Sequence, residues 1–308
     1  MNERLKGTGV ALVTPFGNDG RIDFDALERV LEHVSTGGVD YLVPLGTTAE
    51  TPTLSKVERA DILKYVKSNN PKNLPIILGK GSNCTAELID SLPDTDFDGI
   101  DAILSVVPYY NRPTQQGLIA HFSALADKSP VPIILYNVPS RTASNLEAAT
   151  TISLAAHPNI IGIKEASGNL EQCAIIASQA PTGFLLISGD DMITLPLLSL
   201  GGAGVISVIA NAFPRQISEI VSEYLSGKTN ETARHFHQLV KMIQLIFLEG
   251  SPVGVKEAMR QLGICPNSVR LPLVSSSESL ATRIREEIEK IRQIKKVDKT
   301  TFMLKKFL

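Results

Sequence analysis

The residue in this chain with the most chemistry in it is a lysine set inside an apolar strand. In the run IIGIKEA, Lys164 follows Ile160, Ile161 and Ile163, and burying an ammonium group there is costly. A neutral amine, the form that burial favours, is the form that attacks a ketone. Period-two alternation sends Lys164 and Glu165 to opposite faces of the strand, so Glu165 is not its neutralising partner. The plainer reading is a strand-end lysine that reaches solvent or pairs with Asp190. Tyr136 weighs against that plainness. Schiff-base chemistry moves protons to and from a carbinolamine and then the carbon beside the iminium. Tyr136 lies in the preceding apolar run, close enough in a barrel to share a pocket with Lys164, although a single strand-end tyrosine is more often a packed side chain. Thr47 and Thr48 read as a polar turn. Gly46 before them also lets backbone amides approach an anion such as a carboxylate.

Residues spread this far apart need a scaffold that gathers them, and the sequence carries a repeat of pattern. Short apolar runs recur at Val10–Phe16, Tyr41–Gly46, Ile76–Gly81, Ala102–Pro108, Ile133–Pro139, Ile160–Ala166, Phe184–Asp190 and Val205–Asn211. Each is followed by a longer amphipathic segment, at roughly the 25–35-residue spacing of a βα unit. The runs are continuously apolar, as in a parallel sheet covered on both faces. Together they predict a (β/α)8 TIM barrel rather than an open sheet. Helix caps are expected at Asp23 before Phe24–Ser35, Ser55 before Lys56–Lys67, and Asn145 before Leu146–Ala156. The barrel occupies 1–225. Residues 226–308 form a C-terminal helical extension packed on it, with helices at Thr229–Leu248, Pro252–Leu262 and Glu278–Lys296 and Pro266 and Pro272 in the loop between. The basic end, Lys295, Lys296, Lys299, Lys305 and Lys306, reads as a solvated helix face with a frayed tail.

Barrel enzymes carry their chemistry at the C-terminal ends of the strands. Here those ends hold Thr14-Pro15, Gly46-Thr47-Thr48, Tyr109-Tyr110-Asn111, Tyr136-Asn137 with Arg141 beyond, Lys164-Glu165 and Gly189-Asp190-Asp191. Hydroxyls, phenols, a lysine and an arginine converge on the working rim. Other chemistries find little support. A net charge of −2 offers no field for nucleic acid or an anionic membrane. Cys84, Cys173 and Cys265 are an odd number without CxxC spacing, which argues for a reducing compartment. The opening MNERLKGTGV has no signal-peptide core, and the most apolar stretch is broken by Asp190 and Asp191, so a cytoplasmic protein is expected. His235 and His237 point apart on a helix, and no acidic or histidine cluster has metal-site spacing. GKGSN at Gly79–Asn83 is no nucleotide fingerprint. GGAG at Gly201–Gly204 is none either, though it lies where barrels often bind phosphate.

Five motifs then carry a likeness across nearly the whole chain: VTPF at Val13–Phe16, GTTAE at Gly46–Glu50, PYYNRPTQQG at Pro108–Gly117, YNVPSRT at Tyr136–Thr142 and GIKEASG at Gly162–Gly168. In this order they resemble the dihydrodipicolinate synthase and N-acetylneuraminate lyase superfamily. The resemblance implies a lyase of the Schiff-base aldolase type acting on pyruvate and L-aspartate 4-semialdehyde, in diaminopimelate and lysine biosynthesis. It implies no metal or organic cofactor, no nucleic-acid or membrane partner, and a homotetramer built as a dimer of dimers. Lys164 matches the Schiff-base lysine and Tyr136 the proton-donating tyrosine. Thr47 and Tyr110 match the rest of a hydroxyl relay, with Tyr110 reaching into a neighbouring subunit's site. Thr48 and Ile206 match positions whose backbones bind pyruvate, chiefly its carboxylate. Arg141 matches the arginine that receives the semialdehyde carboxylate, a bidentate pairing. Sialic-acid lyases typically lack that arginine, so SRT here favours the synthase branch.

Two departures from the family pattern carry consequences. Ala49 stands where the motif GTTGE has glycine, a small change to the turn. In the region matching the lysine feedback site, Asn83, Glu87 and Tyr109 are present, but Lys56 and Arg59 stand where lysine-sensitive bacterial enzymes often have histidines. Extra cations should weaken a site for cationic lysine. Two other readings remain at this point: an aldolase for 2-keto-3-deoxy sugar acids, indifferent to Arg141, and a non-catalytic barrel that senses a small carboxylate.

Overall fold

Strands whose alternate residues are apolar on both faces bury one face inside a ring and the other under helices. The computed structural model describes residues 2–306, with residue 2 and residues 294–306 as backbone alone. The side chains of the basic cluster from Lys295 to Lys306 therefore lie outside the described residues. Eight parallel strands, β1 (Gly7–Ala11), β2 (Tyr41–Val43), β3 (Ile77–Gly79), β4 (Ala102–Val106), β5 (Ile133–Asn137), β6 (Ile160–Glu165), β7 (Leu185–Ser188) and β8 (Gly204–Ser207), run in the order β2-β1-β8-β7-β6-β5-β4-β3. The ends of that order meet at a parallel bridge between Leu42 and Ile76. Leu42 N donates to Pro75 O and Gly79 N to Pro44 O, both at 2.9 Å, and the ring closes there.

Alternation divides the core in two. Ala11, Val43, Ile77, Leu104, Ile134, Tyr136, Ile187 and Ile206 belong to the cluster inside the ring. Ile103, Ile133, Leu135, Ile163 and Leu186, one residue away on the same strands, pack under the helices instead. Inside the ring Gly9 makes room for a neighbour: a Cβ there would meet Tyr41 Cε2 at 2.0 Å. The first strand begins at Gly7 and not at Val10. The stretch Gly-Thr-Gly is a weak strand former by composition, and it becomes a strand because β2 and β8 pair with it.

The helices are α1 (Phe24–Thr36), α2 (Lys56–Ser68), α3 (Thr85–Asp90), α4 (Gln115–Lys128), α5 (Pro139–Thr142), α6 (Ala148–Ala155), α7 (Leu170–Gln179), α8 (Thr194–Ser199), α9 (Pro214–Leu225), α10 (Thr229–Leu248), α11 (Val253–Gln261) and α12 (Glu278–Lys306). Asp23 caps α1 through Ala26 N, and Ser55 with Glu58 forms a capping box on α2. Asn145 does not cap its helix. That helix starts at Ala148 after Glu147, and the Asn145 side chain accepts from Asn137 Nδ2 at 2.9 Å and donates to Gln172 at 2.9 Å. A buried polar network outbids the cap, because its amides have no water to turn to. α12 continues beyond the predicted Lys296 to Lys306, while α11 is one residue shorter at each end than predicted.

Candidate active site

Most of the apolar runs outlast their strands, and the surplus residues are the loops at the C-terminal rim. β2 ends at Val43, and the chain turns through Leu45 in the left-handed region (φ 57°) into a single helical turn, Thr47–Ala49. β5 ends at Asn137, Pro139 opens the short helix α5, and left-handed Ala143 ends it, so Arg141 is fixed just past the strand. These loops enclose a cavity of ≈ 360 Å³ at the mouth of the barrel. Lys164, Tyr136, Thr47, Thr48 and Arg141 all line it.

At its floor Lys164, 5% exposed, projects inward from β6 beside its register partner Tyr136 on β5. Its Nζ lies 4.3 Å from the centroid of the Tyr136 ring. Among the described residues Nζ has no hydrogen bond or ion pair. Asp190, the alternative partner, instead accepts from Met192 N at 2.8 Å. Glu165 faces the other way, as alternation predicts, and accepts from Asn137 Nδ2, Gln172 Nε2 and Ser167 N. The lysine stem rests against Gly189, where an added Cβ would lie 3.0 Å from Lys164 Cγ and 2.7 Å from Ala166 Cβ. Overpacking of this kind costs about 1–3 kcal/mol, and part of it would be relieved by moving the amine. Gly189→Ala is therefore expected to lower kcat/KM at least about tenfold while the protein stays folded. Turnover read beside a thermal melt checks this, and unchanged kcat/KM would show that the glycine only fills space.

Two expected residues stand elsewhere. Ile206 is buried inside the ring within β8 and is not among the residues lining the cavity, whereas Val208, two residues on, is. Asp191 fixes that loop: its Oδ2 accepts from Val208 N and Ile209 N, and burial pushes the carboxyl up to about 6. Tyr110 is 89% exposed with φ 73° and is absent from the cavity wall. Of the residues expected to match a feedback site, Lys56 and Arg59 lie on α2, Asn83 and Glu87 beyond β3, and Tyr109 beyond β4. Asn83 Nδ2 donates to Tyr109 O, Ser82 Oγ donates to Glu87, and Arg59 donates to the Leu54 and Thr51 carbonyls. Burial, then the charges of Arg59 and Lys56, hold the half-buried Lys80 ammonium below its ordinary value.

Sequence reasoning missed Ser140, Met192 and Val208, and it missed the face of α10, where Ile243, Gln244 and Phe247 close one wall of the cavity. The α10 residues carry no distinguishing signal, since an amphipathic helix uses the same types to cover any core. Among the described residues no group of acidic, histidine or cysteine side chains is placed to hold a metal. No described helix is long and apolar enough to cross a membrane.

Among the described residues the Lys164 amine has no charged partner and stands against a tyrosine at the C-terminal rim of a (β/α)8 barrel, an arrangement that suits an imine-forming class of enzyme. Residues 4–291 match the dihydrodipicolinate synthetase family, and the chain belongs to it. The 4-hydroxy-tetrahydrodipicolinate synthase of Parabacteroides distasonis is 45% identical over 288 residues, covering 93% of this chain and 97% of its own. The structure of 4-hydroxy-tetrahydrodipicolinate synthase from Methylacidiphilum fumariolicum superposes with a TM-score of 0.90 at 39% identity, over 94% of this chain and 96% of that one. A monomeric dihydrodipicolinate synthase variant superposes at 0.91 with 35% identity, over 94% and 98% of the two chains.

Proposed function

We propose that this chain condenses pyruvate, held as a Schiff base on Lys164, with L-aspartate 4-semialdehyde to give 4-hydroxy-tetrahydrodipicolinate, in diaminopimelate and lysine biosynthesis. The observation that carries this reading is the buried Lys164 Nζ, 4.3 Å from the Tyr136 ring and in one cavity with Arg141. Lys164 adds to the pyruvate ketone, and loss of water leaves an iminium. The iminium withdraws electrons, a methyl proton leaves, and the enamine carbon attacks the aldehyde carbon. The semialdehyde's amino group then attacks the iminium carbon and displaces Lys164 as the ring closes. The lysine is the covalent catalyst, so the chemistry calls for no metal or organic cofactor.

Tyr136 and Thr47 move the protons, and Thr48 and Ile206 present their backbones to pyruvate, chiefly to its carboxylate. Tyr110, exposed in one copy, completes the relay of another, which requires at least a dimer and fits a tetramer of paired dimers. The cytoplasm suits a chain whose Cys84, Cys173 and Cys265 are all free. The extra cations Lys56 and Arg59 would weaken a site formed with Asn83, Glu87 and Tyr109 for cationic lysine. Lysine inhibition is expected to be weak or absent in a steady-state assay, and a micromolar inhibition constant would contradict it.

Turnover of pyruvate with aspartate semialdehyde, beside sugar aldehydes and 2-keto-3-deoxy acids, tests the function. Efficient use of the semialdehyde alone is expected. Arg141→Ala should lower kcat/KM for it by roughly 10–150-fold, the equivalent of one charge-assisted hydrogen-bonded pair worth about 1.5–3 kcal/mol. Activity confined to the sugar compounds would leave the imine chemistry in place and assign the pocket to a sugar-acid aldolase.

A further inference from the structure

A second lysine of this chain is more deeply buried than Lys164 and takes no part in the chemistry above. Lys256, on α11, has a fully buried side chain, and its Nζ donates to Glu50 Oε1 at 2.5 Å, with the Glu50 side chain 1% exposed. Nζ also donates to Ser268 O at 2.8 Å and lies 4.4 Å from the Phe16 ring centroid. Removing one partner of such a pair leaves an uncompensated buried charge, whereas removing both is often tolerated. The pair joins residues far apart in sequence, the C-terminal extension and the loop after β2.

Glu50 stands where that loop changes direction. Its backbone is left-handed, φ 56° and ψ 34°, a conformation that glycine adopts freely and glutamate does not. Its N donates to Thr47 O at 3.1 Å, closing the turn Thr47–Ala49, and its carbonyl accepts from Thr53, opening the next turn. Glu50 Oε2 accepts from Arg270 N at 2.9 Å, so both carboxylate oxygens are held by the extension. The Arg270 guanidinium adds a fork to Glu58, the capping residue of α2, and donates to Thr53 O and Gly20 O. Thr14 Oγ1 donates to Ala49 O and Thr51 Oγ1 to Gly46 O, so the turn is braced from the barrel side as well.

We infer that Glu50 is a positioning residue, and that Lys256 and Arg270 use it to hold the Thr47–Thr48 turn at the spacing that receives the pyruvate carboxylate. The inference rests on the function proposed above. A tether that only stabilised the fold would need no side chain at a left-handed position in the turn that carries Thr47 and Thr48, both of which line the cavity. It would equally serve from either end of the barrel, yet it lies on the rim where the cavity opens. The extension thereby acts on the site through Glu50, in addition to lending the α10 face to its wall.

The test is steady-state kinetics of the double variant Glu50→Gln/Lys256→Met, with borohydride trapping at saturating pyruvate and a thermal melt. The double variant removes both charges and is expected to fold. Its pyruvate KM should rise about tenfold or more while kcat falls less and Lys164 is still trapped. Glu50→Asp keeps both charges and shortens the tether by one methylene, and its pyruvate KM should rise at least about threefold. A pyruvate KM within twofold of wild type in either folded variant would overturn the inference and leave a structural ion pair. Absence of a trapped adduct in the wild type would instead overturn the proposed function, whatever the variants did.

Discussion

Lys164→Ala is expected to lower kcat by at least about 10⁴-fold, because it removes the proposed nucleophile, through which every covalent step of the proposed route passes. The loss should be chemical and not structural. Nζ makes no ion pair or hydrogen bond among the described residues, its contact being the Tyr136 ring at 4.3 Å. Truncation therefore orphans no buried charge, and the melting temperature should hold within a few degrees. Incubation with pyruvate and borohydride, followed by intact mass, should give one adduct per chain in the wild type and none in the variant. Lys164→Arg should be equally inactive, since it restores a cation without a nucleophile and places a longer fork against Gly189. If the alanine variant kept turnover within tenfold of wild type, the imine route would be wrong. An adduct mapping to another lysine would move the site, and the buried Lys256 would be the first place to look.

The parts of this site that were legible in the sequence are those fixed by strand order and strand period. Consecutive strands of a parallel barrel are neighbours, so Tyr136 and Lys164 had to stand side by side once their runs were read as strands five and six. Period two then placed Lys164 inside and Glu165 outside, and the register Tyr136↔Lys164 and Asn137↔Glu165 follows it. The illegible parts depend on pairings between remote segments. Gly7–Gly9 forms a strand because β2 and β8 pair with it, with Tyr41 filling the space at Gly9, and nothing local announces that. Asn145 has the residue type and spacing of a cap, and lost that role to a network with Asn137 of its own βα unit and Gln172 of the next. Gln244 and Phe247 look like any residues of an amphipathic helix until α10 is seen over the barrel mouth. Glu50 and Lys256 are two ordinary charges in the sequence, and their pairing exists only in the folded chain.

Tyr136→Phe separates the two things this ring can do for the iminium on Lys164. The phenyl face remains 4.3 Å from the lysine nitrogen, where its quadrupole favours the positive charge that forms there by about 0.5–2 kcal/mol. The hydroxyl alone is lost, and with it the group proposed to take and return protons during dehydration of the carbinolamine and addition to the aldehyde. Positioned acid–base groups contribute typically about 10²–10⁴-fold, so kcat should fall by roughly that factor. Pyruvate should still be trapped on Lys164, only more slowly, because the amine and the ring that stabilises the iminium are both in place. Tyr136→Leu removes the ring too and should additionally weaken trapping at equilibrium, by up to about thirtyfold if the ring is worth 2 kcal/mol. Equal rates of trapping in wild type and the phenylalanine variant, with kcat still depressed, would confine the hydroxyl to the carbon–carbon bond-forming half of the reaction. An unchanged kcat would remove Tyr136 from the proton path altogether and leave it as the aromatic wall against which the lysine is packed.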